Sequence, residues 1–415
     1  MRPRRRETPL ASLPGSRQLS ERNWPAVGFD AVSLRGEGWT ERPFRQFVLK
    51  VNGRCNLSCT YCYVYELADQ SWRDKPRIIS PNALGQAALR IAEHAAAHRL
   101  PVVEIILHGG EPLLCGESFI RSAVALLRNA VPAETGLSLR LQTNGTLLTQ
   151  RMLAMLREQD IKVGVSVDGT AQTHDAKRRY ANGRGSYHLV SAALRRLAEE
   201  RYSAIYSGVL CTVDISADPI ETYESLAAFS PPRVDFLLPH ANWSALPPGA
   251  PAVRYGEWLS AVFDRWYGQR TPETRVRLFE EIIHLLLGGH SSSEAIGLSP
   301  VALIVIDTDG SIEQVDTLKS AFPGAPDTGM NVFTHSFDDV LGHPAIMARQ
   351  IGDKGLSDTC RACPVVKICG GGYYPHRYSQ GEGFRNPSVY CEGLRYLIEH
   401  IARRIRADLR ERSAC

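Results

Sequence analysis

Gln46-Phe-Val-Leu-Lys-Val-Asn-Gly-Arg-Cys55-Asn-Leu-Ser-Cys59-Thr-Tyr61-Cys62 decides how the rest of the chain is read. Residues 46–52 have the pattern of a β-strand, and three cysteines follow it directly, spaced Cys-x3-Cys-x2-Cys. Thiolates are the ligands of iron–sulfur clusters. Three of them hold three irons of a four-iron cube and leave the fourth iron without a protein ligand, and an open metal position is a reactive one. The bland alternative is a zinc knuckle short of one ligand. The spacing and the position just after the first strand count against it.

Working outward, strand patterns recur at 102–108, 137–143, 162–168, 203–213 and 233–239, with helical patterns between them at 81–98, 117–130, 149–158, 186–200 and 219–229. Ser80-Pro81 is a cap and first-turn pair. Six strand–helix units require a mainly parallel sheet with right-handed crossovers. The expected fold is therefore α/β, an open partial (β/α)6 barrel whose functional edge is the C-terminal end of its strands. Helices are expected next at 253–267 and 274–287, then a linker at 288–293. Residues 302–306, the turn Asp307-Thr-Asp309-Gly310 and residues 311–315 read as a hairpin. Residues 320–395 are rich in Gly and Pro and need a staple. An apolar stripe along 392–412 reads as a docking helix with a basic outer face. The expected division is a flexible basic arm over 1–43, the barrel over 44–245, a helical bridge over 246–299, a small irregular domain over 300–395 and a terminal helix over 396–415.

Composition sets the outer bounds. The chain has 415 residues, 44% hydrophobic and 22% charged, with a formal charge of +4. That is a globular protein with too little positive surplus to argue for nucleic acid. No apolar run is long enough to span a membrane, and the basic start lacks a secretory apolar segment, so the expectation is cytoplasmic. In a reducing compartment, clustered cysteines are metal or redox sites rather than disulfides. Of ten cysteines, a second set stands at Cys360-x2-Cys363-x5-Cys369 with Cys391 beyond. Four thiolates close a site completely; from spacing alone either zinc or an iron–sulfur cluster fits. Cys115, Cys211 and Cys415 are read as idle thiols.

Four more motifs end the strands. They are His108-Gly109-Gly110-Glu111-Pro112, Gln142-Thr-Asn144-Gly145, Ser166-Val-Asp168-Gly169 and His174-Asp-x-x-Arg178. Each alone is an ordinary strand-end turn; their common address on one rim is the signal. With the cysteine loop and Tyr61 before its third cysteine, they resemble the radical S-adenosylmethionine (SAM) enzymes. The resemblance implies that Cys55, Cys59 and Cys62 hold a 4Fe-4S cluster whose free iron takes SAM. It further implies that Gly109, Gly110 and Glu111 grip the SAM amino group and Arg178 its carboxylate. Tyr61, Asn144, Ser166 and Asp168 complete the cofactor site.

The tail resembles the SPASM extension of radical SAM peptide maturases, with departures. The family's Gly-x4-Cys cysteine is Val315 here, the last cysteine of its central run is Tyr373, and no cysteine lies between Cys211 and Cys360. All three belong to one auxiliary cluster. The resemblance therefore implies one auxiliary 4Fe-4S cluster, on Cys360, Cys363, Cys369 and Cys391, and Asp316 as a proton acceptor during oxidation. The chain looks most similar to the FxsB-like maturases, which join an aromatic ring carbon to a nearby Cβ of a ribosomal precursor peptide as a cyclophane. An electron donor such as flavodoxin or ferredoxin is implied, with no nucleic-acid and no membrane partner. Thioether formation, epimerisation, Ser or Cys oxidation, and a non-catalytic cluster or zinc module are the alternatives.

Overall fold

The computed structural model describes residues 24–26, 28–249, 251–269 and 274–414, apart from the side chains of 412–414. Alternating apolar residues set six strands edge to edge. These are β1 (Gln46–Asn52), β2 (Val102–Gly109), β3 (Gly136–Thr143), β4 (Lys162–Ser166), β5 (Tyr206–Thr212) and β6 (Arg233–Leu237). They pair in parallel in that order. Phe47, Leu49, Val103, Ile105, Leu139, Leu141, Val163 and Val165 point inward and are buried. Between the strands run helices Pro81–Ala97, Gly116–Ala130, Gln150–Glu158, Tyr187–Leu197 and Pro219–Ala227. Ser80 caps the first through a hydroxyl that accepts from the Ala83 N–H at 3.1 Å, a bond typically worth about 1 kcal/mol. Ile91, Leu127, Leu153 and Leu194 seat these helices on the sheet, each contributing about 1.5–3 kcal/mol by burial. The expected α/β partial barrel is what forms.

The sheet extends further than the six strands. A short β7 (Arg275–Val276) pairs beyond β6. Beyond β1, β8 (Leu303–Ile306) adds in parallel, and β9 (Ser311–Glu313) and β10 (Asp327–Asn331) follow antiparallel. The described residues thus form one ten-stranded sheet, β10-β9-β8-β1-β2-β3-β4-β5-β6-β7. The expected hairpin at 302–315 exists, but its first strand is stitched to β1, so the sheet runs through the expected boundary at residue 300.

Three other expectations need correction. Residues 203–204 close a helical turn (Glu200–Ser203) instead of starting β5, because Ser203 N–H bonds back to Glu199. The helix expected at 274–287 begins at Arg277, since Arg275 and Val276 are spent on the sheet edge. The arm expected to be flexible over 1–43 is folded from Trp24 onward wherever it is described. Trp24 is buried against Phe384, helix Ala31–Gly36 follows, and Leu34 and Trp39 pack on the same small core. Residues 1–23 and Cys415 lie outside the described residues.

The terminal helix is Cys391–Ala414 and lies along helix Val253–Tyr267. A Cβ on Gly256 would sit 2.2 Å from the Gly393 carbonyl oxygen, and one on Gly393 would sit 2.5 Å from that of Ala252. The two glycines let the helices touch backbone to backbone, which fixes Cys391 at the helix start against the barrel. No described helix is long and apolar enough to cross a membrane.

Candidate active site

Every strand of β1–β6 ends on the same rim, and the cysteine loop leaves β1 there. Strand β2 continues as a clamp on that loop: Gly110 N–H donates to the Asn52 carbonyl at 2.8 Å and Glu111 N–H to that of Arg54 at 3.0 Å. Gly109 has φ +130°, and a Cβ on it would lie 2.1 Å from the Asn52 oxygen. A Cβ on Gly110 would lie 1.9 Å from Tyr65 Oη and 2.4 Å from the Arg54 oxygen. Both glycines are thus demanded by the cysteine loop itself.

Glu111 is fully buried, and its carboxylate accepts from Thr143 Oγ1 (2.8 Å), Leu113 N–H (3.0 Å) and Asn144 N–H (2.8 Å). Burial still pushes it up to about 6. The side chain expected to take an ammonium is in this structure an internal brace for Asn144. Asn144 in turn donates to Asn56 Oδ1 at 2.9 Å and to Cys55 Sγ at 3.6 Å. Across the rim, Tyr61 Oη donates to Asp168 and accepts from Arg178 Nη1 at 2.7 Å. The other Asp168 oxygen accepts from Thr212 N–H at 3.0 Å. His174 and Ser186 hold the Arg178 backbone from behind. Arg178 Nε is buried without a partner. Ser166 Oγ accepts from Gln142 Nε2 at 3.0 Å at the end of β4. The structure therefore gathers Cys55, Asn144 and Glu111 on one side of the loop and Tyr61, Asp168 and Arg178 on the other.

The donor chemistry fits the expected groups. Burial raises Cys55 to about 12 and Cys62 to about 11, so these sulfurs need a bound cation to exist as thiolates. A carboxylate would satisfy the unpartnered Arg178 Nε. In the tail, Cys391 feels the sulfurs of Cys360 and Cys363, and Cys369 feels those of Cys391 and Cys360, so the four face one another. Single zinc ions bring sulfurs to ~3.8 Å of one another, given bonds of about 2.3 Å in a tetrahedron. Among the described residues, the three-ligand group drawn within 4.8 Å is instead His94, His98 and Asp338. The histidine group is a hydrogen-bond cluster: His94 Nε2 accepts from Phe44 N–H at 3.0 Å, leaving its proton on Nδ1, which points at Asp338 Oδ1 2.7 Å away.

Asp316 follows β9 and is buried. Its Oδ1 lies 2.6 Å from Lys50 Nζ and its Oδ2 4.0 Å from His108 Nδ1, yet neither oxygen receives an aligned hydrogen bond. Burial outweighs the Lys50 attraction and raises it to about 6. Lys50 also binds Asp307 (2.8 Å) and Glu313 (3.0 Å), and Lys75 and Lys319 complete the buried charge network. Burial opposes the Lys50 charge, but the three carboxylates raise its pKa well above the ordinary range. Tyr63, next in sequence to Cys62, feels the charge of Asp316. It packs edge-on against His240 with ring centroids 4.8 Å apart. His376 neighbours His240 and Tyr373, and Tyr373 Oη lies 2.5 Å from Thr317 Oγ1. Burial drops His108 and His240 to about 4, so both imidazoles are neutral.

Sequence reasoning missed Lys50, Tyr63, His108, His240 and His376. A lysine inside an apolar strand and histidines at two strand ends were the available signals. Cys115 and Cys211 are free thiols without a neighbouring cysteine pair, and among the described residues no disulfide forms.

Residues 49–229 match the model of the Radical SAM superfamily. Over 374 residues the chain is 25% identical to the cysteine-type anaerobic sulfatase-maturating enzyme of Clostridium perfringens (strain 13 / Type A), covering 86% of this chain and 96% of that protein. The structure of native anSMEcpe with bound AdoMet superposes with a TM-score of 0.74 at 21% identity, covering 88% of this chain and 99% of that one. Streptococcus suis SuiB bound to its precursor peptide SuiA superposes with a TM-score of 0.57 at 15% identity, covering 87% and 78%. The match to that family model is confined to residues 49–229, and the α/β fold of the described residues is shared with these solved structures.

Proposed function

We propose that the chain is a radical SAM peptide maturase that joins an aromatic ring carbon to a nearby Cβ of a ribosomal precursor peptide. When bound, the cluster and SAM supply a one-electron cleavage that removes a hydrogen atom from the peptide. Cys55, Cys59 and Cys62 are the residues that would hold that cluster, with the fourth position left to SAM. Arg178, kept in place by Tyr61 and Asp168, offers its free Nε to the SAM carboxylate. Asn144 steadies Cys55.

Forming the ring–Cβ bond releases a second hydrogen as a proton and an electron. Asp316, buried and balanced near neutrality, receives the proton; a base is most effective when its pKa lies near the working pH. Cys360, Cys363, Cys369 and Cys391 would hold one auxiliary cluster that receives the electron, and a flavodoxin or ferredoxin supplies reducing equivalents. The observation that carries the reading is the convergence at one rim: Tyr63, next to Cys62 in the chain, feels the charges of both Cys62 and Asp316.

A second reading is supported by the likeness to a sulfatase-maturating enzyme along nearly the whole chain. It is oxidation of a peptide Ser or Cys at the same site. Val315 and Tyr373 weigh against it, because they stand where the SPASM pattern has cysteines for a proximal auxiliary cluster.

Anaerobic co-expression with any short open reading frame found beside the gene for this chain, followed by tandem mass spectrometry, tests the proposal. Loss of two hydrogens, with peptide-bond cleavage silenced between an aromatic residue and its neighbour, is the expected result. A product that reacts with a hydrazide at a Ser or Cys position replaces the crosslink by an aldehyde. An unchanged mass and chirality in the presence of a loaded cluster overturns both.

A further inference from the structure

The auxiliary segment carries a second polar site away from the rim. Glu294, Ser299, Arg349, Tyr374 and Arg377 line a cavity of about 40 Å³. An enclosed water needs only about 10–15 Å³ of such space, so the cavity has room for a group of a few heavy atoms. It adjoins a wider groove of about 340 Å³ near Trp39 and Arg42, with Leu298 and Gly352 common to both. The Arg349 side chain is 1% exposed, and only its Nη2 is paired, with Glu294. Its Nε and Nη1 have no partner, and neither has Tyr374 Oη. Both guanidinium carbons lie 5.7 Å from the centre of the Tyr374 ring, so two buried cations flank one aromatic ring.

Arg377 is partly committed. Its Nη2 donates to the carbonyls of Gly370 (2.7 Å) and Gly372 (2.5 Å), and it also faces the sulfurs of Cys369 and Cys360. Burial depresses its pKa. Among the described residues, Arg349 has Glu294 alone as an ion-pair partner. The wall thus presents three open donors and two cations against one carboxylate. A guanidinium donates and never accepts, so the occupant that fits is rich in acceptors and negatively charged. Water brings two donors of its own for which this wall has little use.

We propose that this cavity is a binding site for a small inorganic oxyanion of the phosphate class, seated on Arg349 Nε and Nη1 and on Tyr374 Oη. The site is independent of the reaction at the rim. The occupant ties the 294–301 segment to the 349–377 segment and so locks the wall beside Cys369.

The test is thermal unfolding of the anaerobic, iron-loaded full chain in inorganic phosphate against chloride at matched ionic strength. Phosphate is expected to raise Tm, with the rise saturating as a single-site isotherm. Tyr374→Phe keeps the ring and removes one donor; the phosphate concentration at half-effect is expected to rise about tenfold. Arg349→Gln is expected to abolish the phosphate effect while circular dichroism and iron content stay at the parent values. Equal Tm in phosphate and chloride for the parent chain overturns the proposal, as does an undiminished phosphate effect in both variants. If Arg349→Gln fails to fold, the Tyr374→Phe isotherm decides alone.

Discussion

Replacing Lys50 by Met tests the buried charge network most directly, because Met keeps the aliphatic stem and deletes the charge. Lys50 is 3% exposed and touches Asp307, Glu313 and Asp316. Removing one partner of a buried ion pair costs roughly 3–5 kcal/mol when the other charge stays behind. Here the three carboxylates are not equally stranded. Asp307 and Glu313 retain Lys75 at 2.9 and 2.6 Å. Asp316 keeps the weaker pull of Lys319 and, at 4.0 Å, the His108 ring, whose charging burial alone still disfavours. The variant therefore raises Asp316 further from its already elevated value of about 6.

A carboxyl raised on folding gives stability that is complete below its unfolded pKa and is lost as pH climbs through the folded one. Each unit of upward shift adds about 1.4 kcal/mol to the loss above the new pKa. A one- to two-unit shift thus makes the variant about 1–2 kcal/mol worse, relative to the parent, at pH 8 than at pH 5.5. Asp307 and Glu313 are held below their ordinary range in the parent, Asp307 in spite of its burial and of the Glu313 charge. Their contribution falls away only as pH drops into the acid range, outside this window. Anaerobic urea unfolding at the two pH values is the assay. A loss that is equal at both pH values refutes the assignment of the raised pKa to Asp316. The pH optimum of peptide oxidation is expected to move up with it by one to two units.

Gly110→Ala drives a Cβ to 2.4 Å from the Arg54 oxygen, so the cysteine loop must retreat by about 0.6 Å to reach a 3.0 Å contact. The cost is about 1–3 kcal/mol, and iron analysis after reconstitution is expected to show the rim cluster lost and the tail cluster kept. Tyr61→Phe deletes the hydroxyl that joins Asp168 to Arg178. SAM affinity by equilibrium dialysis is expected to fall about tenfold, the worth of one charged hydrogen bond. Cys391→Ser is expected to remove about four of about eight irons per chain while leaving SAM binding intact.

The barrel was legible because its strands and helices carry strong local patterns. Val253–Tyr267 was found to the residue, and the other helices within a few residues of their true ends. The rim was legible because glycine, cysteine and carboxylate motifs stand at strand ends in chain order. What escaped depends on distant partners. Lys50 looks like one polar position in an apolar strand until Asp307, Glu313 and Asp316 arrive more than 250 residues later. That the Glu111 carboxylate also accepts from Thr143 and Asn144 is visible only once the fold brings β3 beside it. Trp24 sits in a stretch rich in Arg, Pro and Gly, and its burial becomes visible only once Phe384 is seen beside it. β10 escaped because Asp327-Thr-Gly-Met-Asn331 is a poor strand by propensity and exists through its ladder with β9.

The stitching of β8 to β1 has a consequence for how the molecule is made. Ribosomes deliver the N-terminal part first. Until residue 306 has left the exit tunnel, the outer edge of β1 has bare peptide groups, and a bare edge invites pairing with other chains. The cysteine loop hangs from that same strand. Newborn copies therefore wait, half-finished and sticky, for a closing segment encoded some 250 residues downstream, and a chaperone that covers the β1 edge during that interval would raise the yield of loaded protein.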